Sequence, residues 1–200
     1  MERTSAPVQQ FVGDYLAEMT THLNTISGDA VIGAGERLLR AYRDGAQVLV
    51  AGNGGSASTA SHFACDLGKT VLGANPTVQQ SRFRVVSLAD NVALLTAWAN
   101  DEGYQTVFAE QVKALGRAGD VLVVLSVSGN SPNVLAALHT AREAGIETIG
   151  LLGAGGGEAK SLVDDAIVVS CSDYGHVESA HLVVGHLLTH WFRLHLERAQ

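Results

Sequence analysis

Two short loops hold the residues of this chain best suited to gripping an anion. The first, Gly52-Asn-Gly-Gly-Ser-Ala-Ser58, follows the apolar run 48–51, and the second, Ser126-Val-Ser-Gly-Asn-Ser131, follows another such run. Each precedes a helical pattern, so its residues sit where backbone N–H groups lack intrahelical partners and the macrodipole leaves partial positive charge. Glycines such as Gly54 let the backbone approach a ligand closely, and the hydroxyls of Ser56, Ser128 and Ser131 add donors, which suits a phosphate without any lysine. A tight strand-to-helix turn with Ser56 or Ser58 as N-cap accounts for one such loop on its own. Two in one chain point to a phosphorylated ligand. The first loop lacks the Lys-Ser/Thr pair of a P-loop, and neither the second nor Gly153-Ala-Gly-Gly-Gly157 has the glycine spacing of a dinucleotide fingerprint, so a nucleotide is not the first choice.

A second set of residues is ionisable. His62 and Asp66 stand four apart on the helical pattern that leaves the first loop, so they share one face. The last helical pattern carries Glu178, His181, His186, His190 and His195. His62 and Asp66, joined by Glu178 and His186, would supply imidazole and carboxylate ligands for a divalent ion, zinc or another. Geometry restrains that set, because Glu178 and His186 lie eight residues, or about 12 Å, apart on a straight helix. Glu178 with His181 is the closer intrahelical pair. His139, His190 and His195 read as hydrogen-bonded core or surface histidines.

The elements that must position these groups follow from periodicity. Residues 8–27 and 30–42 carry apolar positions at helical spacing. Strand-like runs at 47–51, 84–89, 120–126, 147–152 and 166–170 then alternate with helices at 58–67, 91–115 (interrupted near 100–103), 132–144 and 176–198. Short continuous Val/Leu/Ile runs between helices indicate an α/β fold with a doubly wound parallel sheet covered on both faces. Ligands of such sheets lie beyond the carboxyl ends of the strands, where both Gly/Ser loops fall. The stretch 68–82 has no periodicity and reads as an irregular loop able to cover a ligand.

At 200 residues the chain reads as one domain, 1–200, with the helices of 1–45 available for packing between subunits. Hydrophobic residues make up 46% and charged residues 16%, an apolar surplus that oligomerisation would absorb. The net charge of −7 and the lack of any Lys/Arg cluster argue against nucleic acid as a partner. Cys65 and Cys171 are too few for a disulfide framework and read as buried apolar fillers. Residues 1–10 are polar, and no apolar run approaches membrane-spanning length, so no membrane association and a cytoplasmic location are expected.

The paired loops in this order, the intervening Gly119-Asp-Val-Leu and the histidine-bearing last helix resemble sugar isomerase (SIS) domain proteins of the phosphoheptose isomerase group. The resemblance covers nearly the whole chain. It implies a homotetramer with sites between subunits that converts sedoheptulose 7-phosphate to an aldoheptose phosphate through an enediol. By motif, Asn53, Ser56, Ser126, Ser128 and Ser131 would bind the phosphorylated substrate with Asp90 nearby. His62, Asp66, Glu178 and His186 would match the zinc positions, Asp66 would be the base and His186 the acid. Two positions depart from the pattern: the base is usually Glu, one methylene longer than Asp66, and Glu178 replaces a Gln in an Arg-Ile-Gln-Glu-like run that reads His176-Val-Glu-Ser here. Related SIS proteins that have lost catalytic residues act as tetrameric protein-binding regulators of replication initiation, which is the alternative function. His62, Asp66 and His186 argue against it.

Overall fold

The computed structural model describes residues 5–73 and 81–197. After two helices, α1 (Ser5–Leu23) and α2 (Gly28–Asp44), the chain alternates β1 (Gln47–Gly52), α3 (Gly55–Gly68), β2 (Arg84–Ser87), α4 (Val92–Asp101), α5 (Ala109–Leu115) and β3 (Val121–Ser126). It continues with α6 (Pro132–Glu143), β4 (Glu147–Leu152), α7 (Ala159–Leu162), β5 (Asp165–Val168) and the long α8 (Tyr174–Glu197). A 3-10 turn at Tyr104–Thr106 supplies the expected interruption between α4 and α5. Residues 74–80, the centre of the expected irregular loop, lie outside the described residues; its start holds the end of α3 and a 3-10 turn, Thr70–Leu72.

The sheet order is β2-β1-β3-β4-β5 and every pairing is parallel, as the uninterrupted apolar runs require. Strand alternation divides the core in two. Val48, Val50, Val121, Val123 and Leu125 face one way and pack with Leu38, Phe63, Val184 and Phe192 of α2, α3 and α8. Leu49, Ala51, Leu122 and Val124 face the other way and pack with Val112 of α5 and Val134 and Leu138 of α6. At the far edge, Arg37 of α2 donates through Nε to Asp165 at 2.6 Å and through Nη1 to Glu147, joining the starts of β4 and β5.

From β1 the chain moves outward through α3 to β2, then crosses back over β1 to β3. The direction therefore reverses between β1 and β3, which are neighbours with Gly52 opposite Leu125. Such a switch point opens a crevice beyond the strand ends, and the two Gly/Ser loops leave these two strands.

Candidate active site

Loop one is shaped by how close its backbone comes to itself. A β-carbon on Gly52 would lie 2.7 Å from the Ser56 carbonyl oxygen, and Gly54 adopts φ +56°. Helix α3 begins at Gly55, three residues before the expected start, so Ser56 lies inside its first turn rather than capping it, and Gly54 provides no side-chain cap. The first N–H groups of α3 thus keep no side-chain acceptor from the cap position. The Asn53 carboxamide pairs reciprocally with that of Asn133, both bonds 2.9 Å, and Tyr104 Oη donates to Asn53 Oδ1 at 2.9 Å. Those bonds join loop one to the first turn of α6. Asn133 and Tyr104 were not foreseen; the only signal was a polar residue just after Pro132 at what proves to be a buried helix position, 2% exposed.

Loop two is organised by its own hydroxyls. Ser126 Oγ accepts from the Gly129 N–H at 3.1 Å, and Ser128 Oγ accepts from the Asn130 N–H at 3.2 Å. Ser131 occupies the N-cap position of α6, yet its hydroxyl caps nothing and lies 3.5 Å from Ser126 Oγ. Gly129 has φ +65°, and a β-carbon there would fall 1.9 Å from the Gly156 carbonyl oxygen. The glycine run 153–157 therefore buttresses loop two by backbone-to-backbone contact. The Ala159 N–H donating to Gly129 O and the Glu158 N–H donating to Asn130 Oδ1, both at 2.9 Å, complete the support.

The two loops face one another across a cavity of about 70 Å³, lined by Asn53, Ser56, Ser126, Ser128 and Ser131 with Tyr174 and Glu178 of α8. Among the described residues no lysine or arginine lines it, which leaves the helix starts as its source of partial positive charge. Glu178 comes in against the start of α3, its carboxylate 2.2 Å from where a β-carbon on Gly55 would be. A side chain at that position would have to displace it. Asp90 does not line this cavity but lies three residues past β2, where Ser61 Oγ, next to His62 in the chain, donates to its Oδ1.

Further along the same two helices a second cluster forms. A β-carbon on Gly185 would meet the Phe63 ring at 3.3 Å, so α3 and α8 pack closely there. That contact brings His62 Nε2 to 2.9 Å from His186 Nε2, with Asp66 Oδ2 at 3.4 Å from the former and 3.8 Å from the latter. Donors on a tetrahedral ion bound at about 2.0 Å are separated by roughly 3.3 Å, which these three distances bracket. The Asp66 side chain is 10% exposed and the two imidazoles about half exposed, 48% and 54%, so the carboxylate supports the site from below while the rings face outward. Two imidazoles and a carboxylate fit a divalent ion and leave a fourth position for another ligand.

Glu178 does not belong to this trio within the chain. Two helical turns separate it from His186, and its carboxylate is in the serine-lined cavity. The Glu178/His181 pairing is not formed either, because His181 points inward and is fully buried with neither ring nitrogen hydrogen-bonded. Burial pushes its pKa down to about 4, and a weak backbone contact with Leu152 opposes that shift. His190 lines the recess around the trio and His195 meets the Trp191 carbonyl at 2.9 Å. The cysteines are not buried fillers: Cys65 is exposed on α3 and Cys171 is partly exposed after β5.

Residues 14–153 match the SIS domain family. The phosphoheptose isomerase of Pelobacter propionicus is 42% identical over 153 residues, covering 76% of this chain and 78% of the relative. Among solved structures, the phosphoheptose isomerase of Neisseria gonorrhoeae superimposes with a TM-score of 0.84 at 31% identity, covering 92% of this chain and 98% of the other. That of Francisella tularensis gives 0.85 at 26% identity, covering 96% and 99%. Sequence, sheet order and the paired loops at the switch point agree: the chain belongs to the SIS domain family, and within it to the phosphoheptose isomerase group.

Proposed function

We propose that this protein is an aldose–ketose isomerase that interconverts sedoheptulose 7-phosphate and an aldoheptose 7-phosphate. The observation that carries the reading is that α3 starts at the serine-lined cavity and carries His62 and Asp66 further along, where His186 of α8 joins them. From Gly55 to His62, α3 rises about 10 Å. An extended seven-carbon sugar phosphate spans roughly 9 Å from its carbonyl carbons to phosphorus, at about 1.3 Å per single bond. A phosphate held by Ser56, Ser126, Ser128 and Ser131, over the loop backbone around Asn53 and Gly54, would present its reacting end near the trio. Asp90 and Glu178 would contact the sugar between them.

In this scheme Asp66 removes the proton from the carbon beside the carbonyl, and the electron pair moves to give an enediolate. His186, through Nδ1 because Nε2 faces the trio, delivers a proton to the former carbonyl oxygen and takes one back from the hydroxyl of the adjacent carbon, while the proton held by Asp66 is placed on the former carbonyl carbon. Asp66 Oδ2 faces the imidazoles, which leaves Oδ1 to accept the substrate proton. A divalent ion, zinc by the chemistry of the donors, would be held by His62, Asp66 and His186, with Glu178 as the further ligand named by resemblance, and would supply Lewis-acid stabilisation of negative charge on oxygen.

The reading extends to a cytoplasmic homotetramer of single-domain subunits, residues 1–200, with 1–45 packing between subunits. What supports the assembly is apolar surface left uncovered in one chain: Phe11 is 67% exposed, Val92 65% and Leu187 50%. Among the described residues no helix is long and apolar enough to cross a membrane. The deciding experiment is turnover of sedoheptulose 7-phosphate by the purified chain, with and without chelator. Absence of turnover with any heptose or hexose phosphate would favour the protein-binding regulator instead.

A further inference from the structure

A third group of side chains lies away from both clusters, where the end of α1, the segment after β5 and the first turn of α8 meet. His22, Cys171 and His176 place a ligand atom each within 4.8 Å of one another. His176 is 4% exposed, and its Nε2 is buried without a hydrogen-bond partner. Its other nitrogen, Nδ1, lies 3.5 Å from Asp173 Oδ1, and the His176 backbone N–H donates to that same oxygen at 2.9 Å. An imidazole whose Nδ1 faces a carboxylate keeps its Nε2 lone pair for a metal, the arrangement that usually orients ligating histidines. Cys171 Sγ accepts the Asp173 backbone N–H at 3.3 Å, so the turn after β5 fixes the sulfur beside His176.

We propose that His22, Cys171 and His176 form a second metal site, selective for a thiophilic borderline-soft ion of which Zn²⁺ is the best fit. Two imidazoles with one thiolate suit Zn²⁺ better than a hard oxygen-seeking cation, and three protein ligands leave one position for water. Tetrahedral binding requires donor separations of roughly 3.3 to 3.6 Å, within reach of a small side-chain adjustment from the present spacing. The Tyr15 ring lies over His176 with centroids 4.2 Å apart and shields that side from solvent. Thr25 Oγ1 accepts the Ser170 N–H at 3.2 Å, so the end of α1 is already joined to the segment that carries Cys171. An ion here would fasten α1 to the start of α8, two residues from Tyr174 and Glu178 of the cradle.

The test uses the full chain stripped by chelator and titrated with Co²⁺, then Zn²⁺. The expected result is a thiolate-to-cobalt charge-transfer band in the near ultraviolet that Zn²⁺ bleaches, together with a rise in melting temperature. The band persists in Cys65→Ser and in the double variant His62→Ala/His186→Ala, and is lost in Cys171→Ser and in His22→Gln. If Cys171→Ser does not fold, His22→Gln on the half-exposed end of α1 decides. A wild-type protein without the band, or a band that survives Cys171→Ser or His22→Gln, overturns the site. Failure of the active-site trio to bind metal would lower the wild-type stoichiometry from two ions per chain to one while leaving the band, so the two metal sites are tested separately.

Discussion

Ser131→Ala isolates the anion cradle from the stability of the fold. In most helices the N-cap hydroxyl satisfies a backbone N–H, and its removal costs about 1 kcal/mol of stability. Here the Ser131 hydroxyl caps nothing, and it lies 3.5 Å from Ser126 Oγ, at the long limit of a hydrogen bond. The variant should therefore unfold within about 0.5 kcal/mol of wild type. A hydroxyl donating to a phosphate dianion contributes about 1.5 to 3 kcal/mol, so KM for sedoheptulose 7-phosphate should rise roughly 10- to 150-fold with a smaller change in kcat. Inorganic phosphate, as a competitive inhibitor, should weaken in parallel. Ser126→Ala is the contrasting control: it deprives the buried Gly129 N–H of its acceptor, so it should lose about 1 to 2 kcal/mol of stability as well as affinity. Unchanged KM in Ser131→Ala, or a fall in stability matching that of Ser126→Ala, would refute the assignment of this hydroxyl to a ligand.

Three further outcomes are expected. Asp66→Asn should lower kcat by about 100-fold or more while the oligomer measured by light scattering stays intact, and chelation should do likewise; retained turnover would remove Asp66 from the proton-transfer scheme. Glu178→Gln removes a negative charge from a cavity proposed to take a dianion, so phosphate should inhibit about fivefold more tightly, on the order of 1 kcal/mol after solvent screening; weaker inhibition would mean that the carboxylate holds something the ligand needs. His181 is neutral when folded, with its pKa lowered from 6.5 to about 4, whereas the unfolded chain takes up a proton below 6.5. Its contribution is thus intact above pH 6.5 and is lost as pH falls toward 4, on the order of 3 kcal/mol in full. His181→Leu should flatten denaturant-measured stability across that window, and an identical pH slope in the two proteins would reject this account.

The cradle was legible in the sequence because it is built locally. Strand, glycine turn and helix start are consecutive in the chain, and their donors follow from position alone. The same holds for His62 and Asp66, one helical turn apart. Residues whose role depends on rotation about a helix axis were harder to read. His181 and Glu178 differ by three positions on α8, yet one is fully buried and the other lines the cavity. Glu178 reaches that cavity because Gly55 of α3 has no side chain to exclude it. Asn133 and Tyr104 escaped notice because their value lies in holding Asn53, a contact between residues far apart in the chain.

What the sequence determined by itself was the alternation of strands and helices, the parallel sheet, and the two Gly/Ser turns at strand ends. Each is a short-range consequence of apolar period, glycine freedom and unpaired helix-terminal N–H groups. The tertiary structure decided which ionisable groups meet. The Phe63–Gly185 contact between α3 and α8 selects His186 as the partner of His62 and Asp66 and leaves Glu178 two turns away, beside the serines. The tertiary fold likewise gathers His22, Cys171 and His176 from three separate elements. No local pattern encodes such meetings, since they depend on how helices settle against a sheet and against one another, where close packing admits few arrangements.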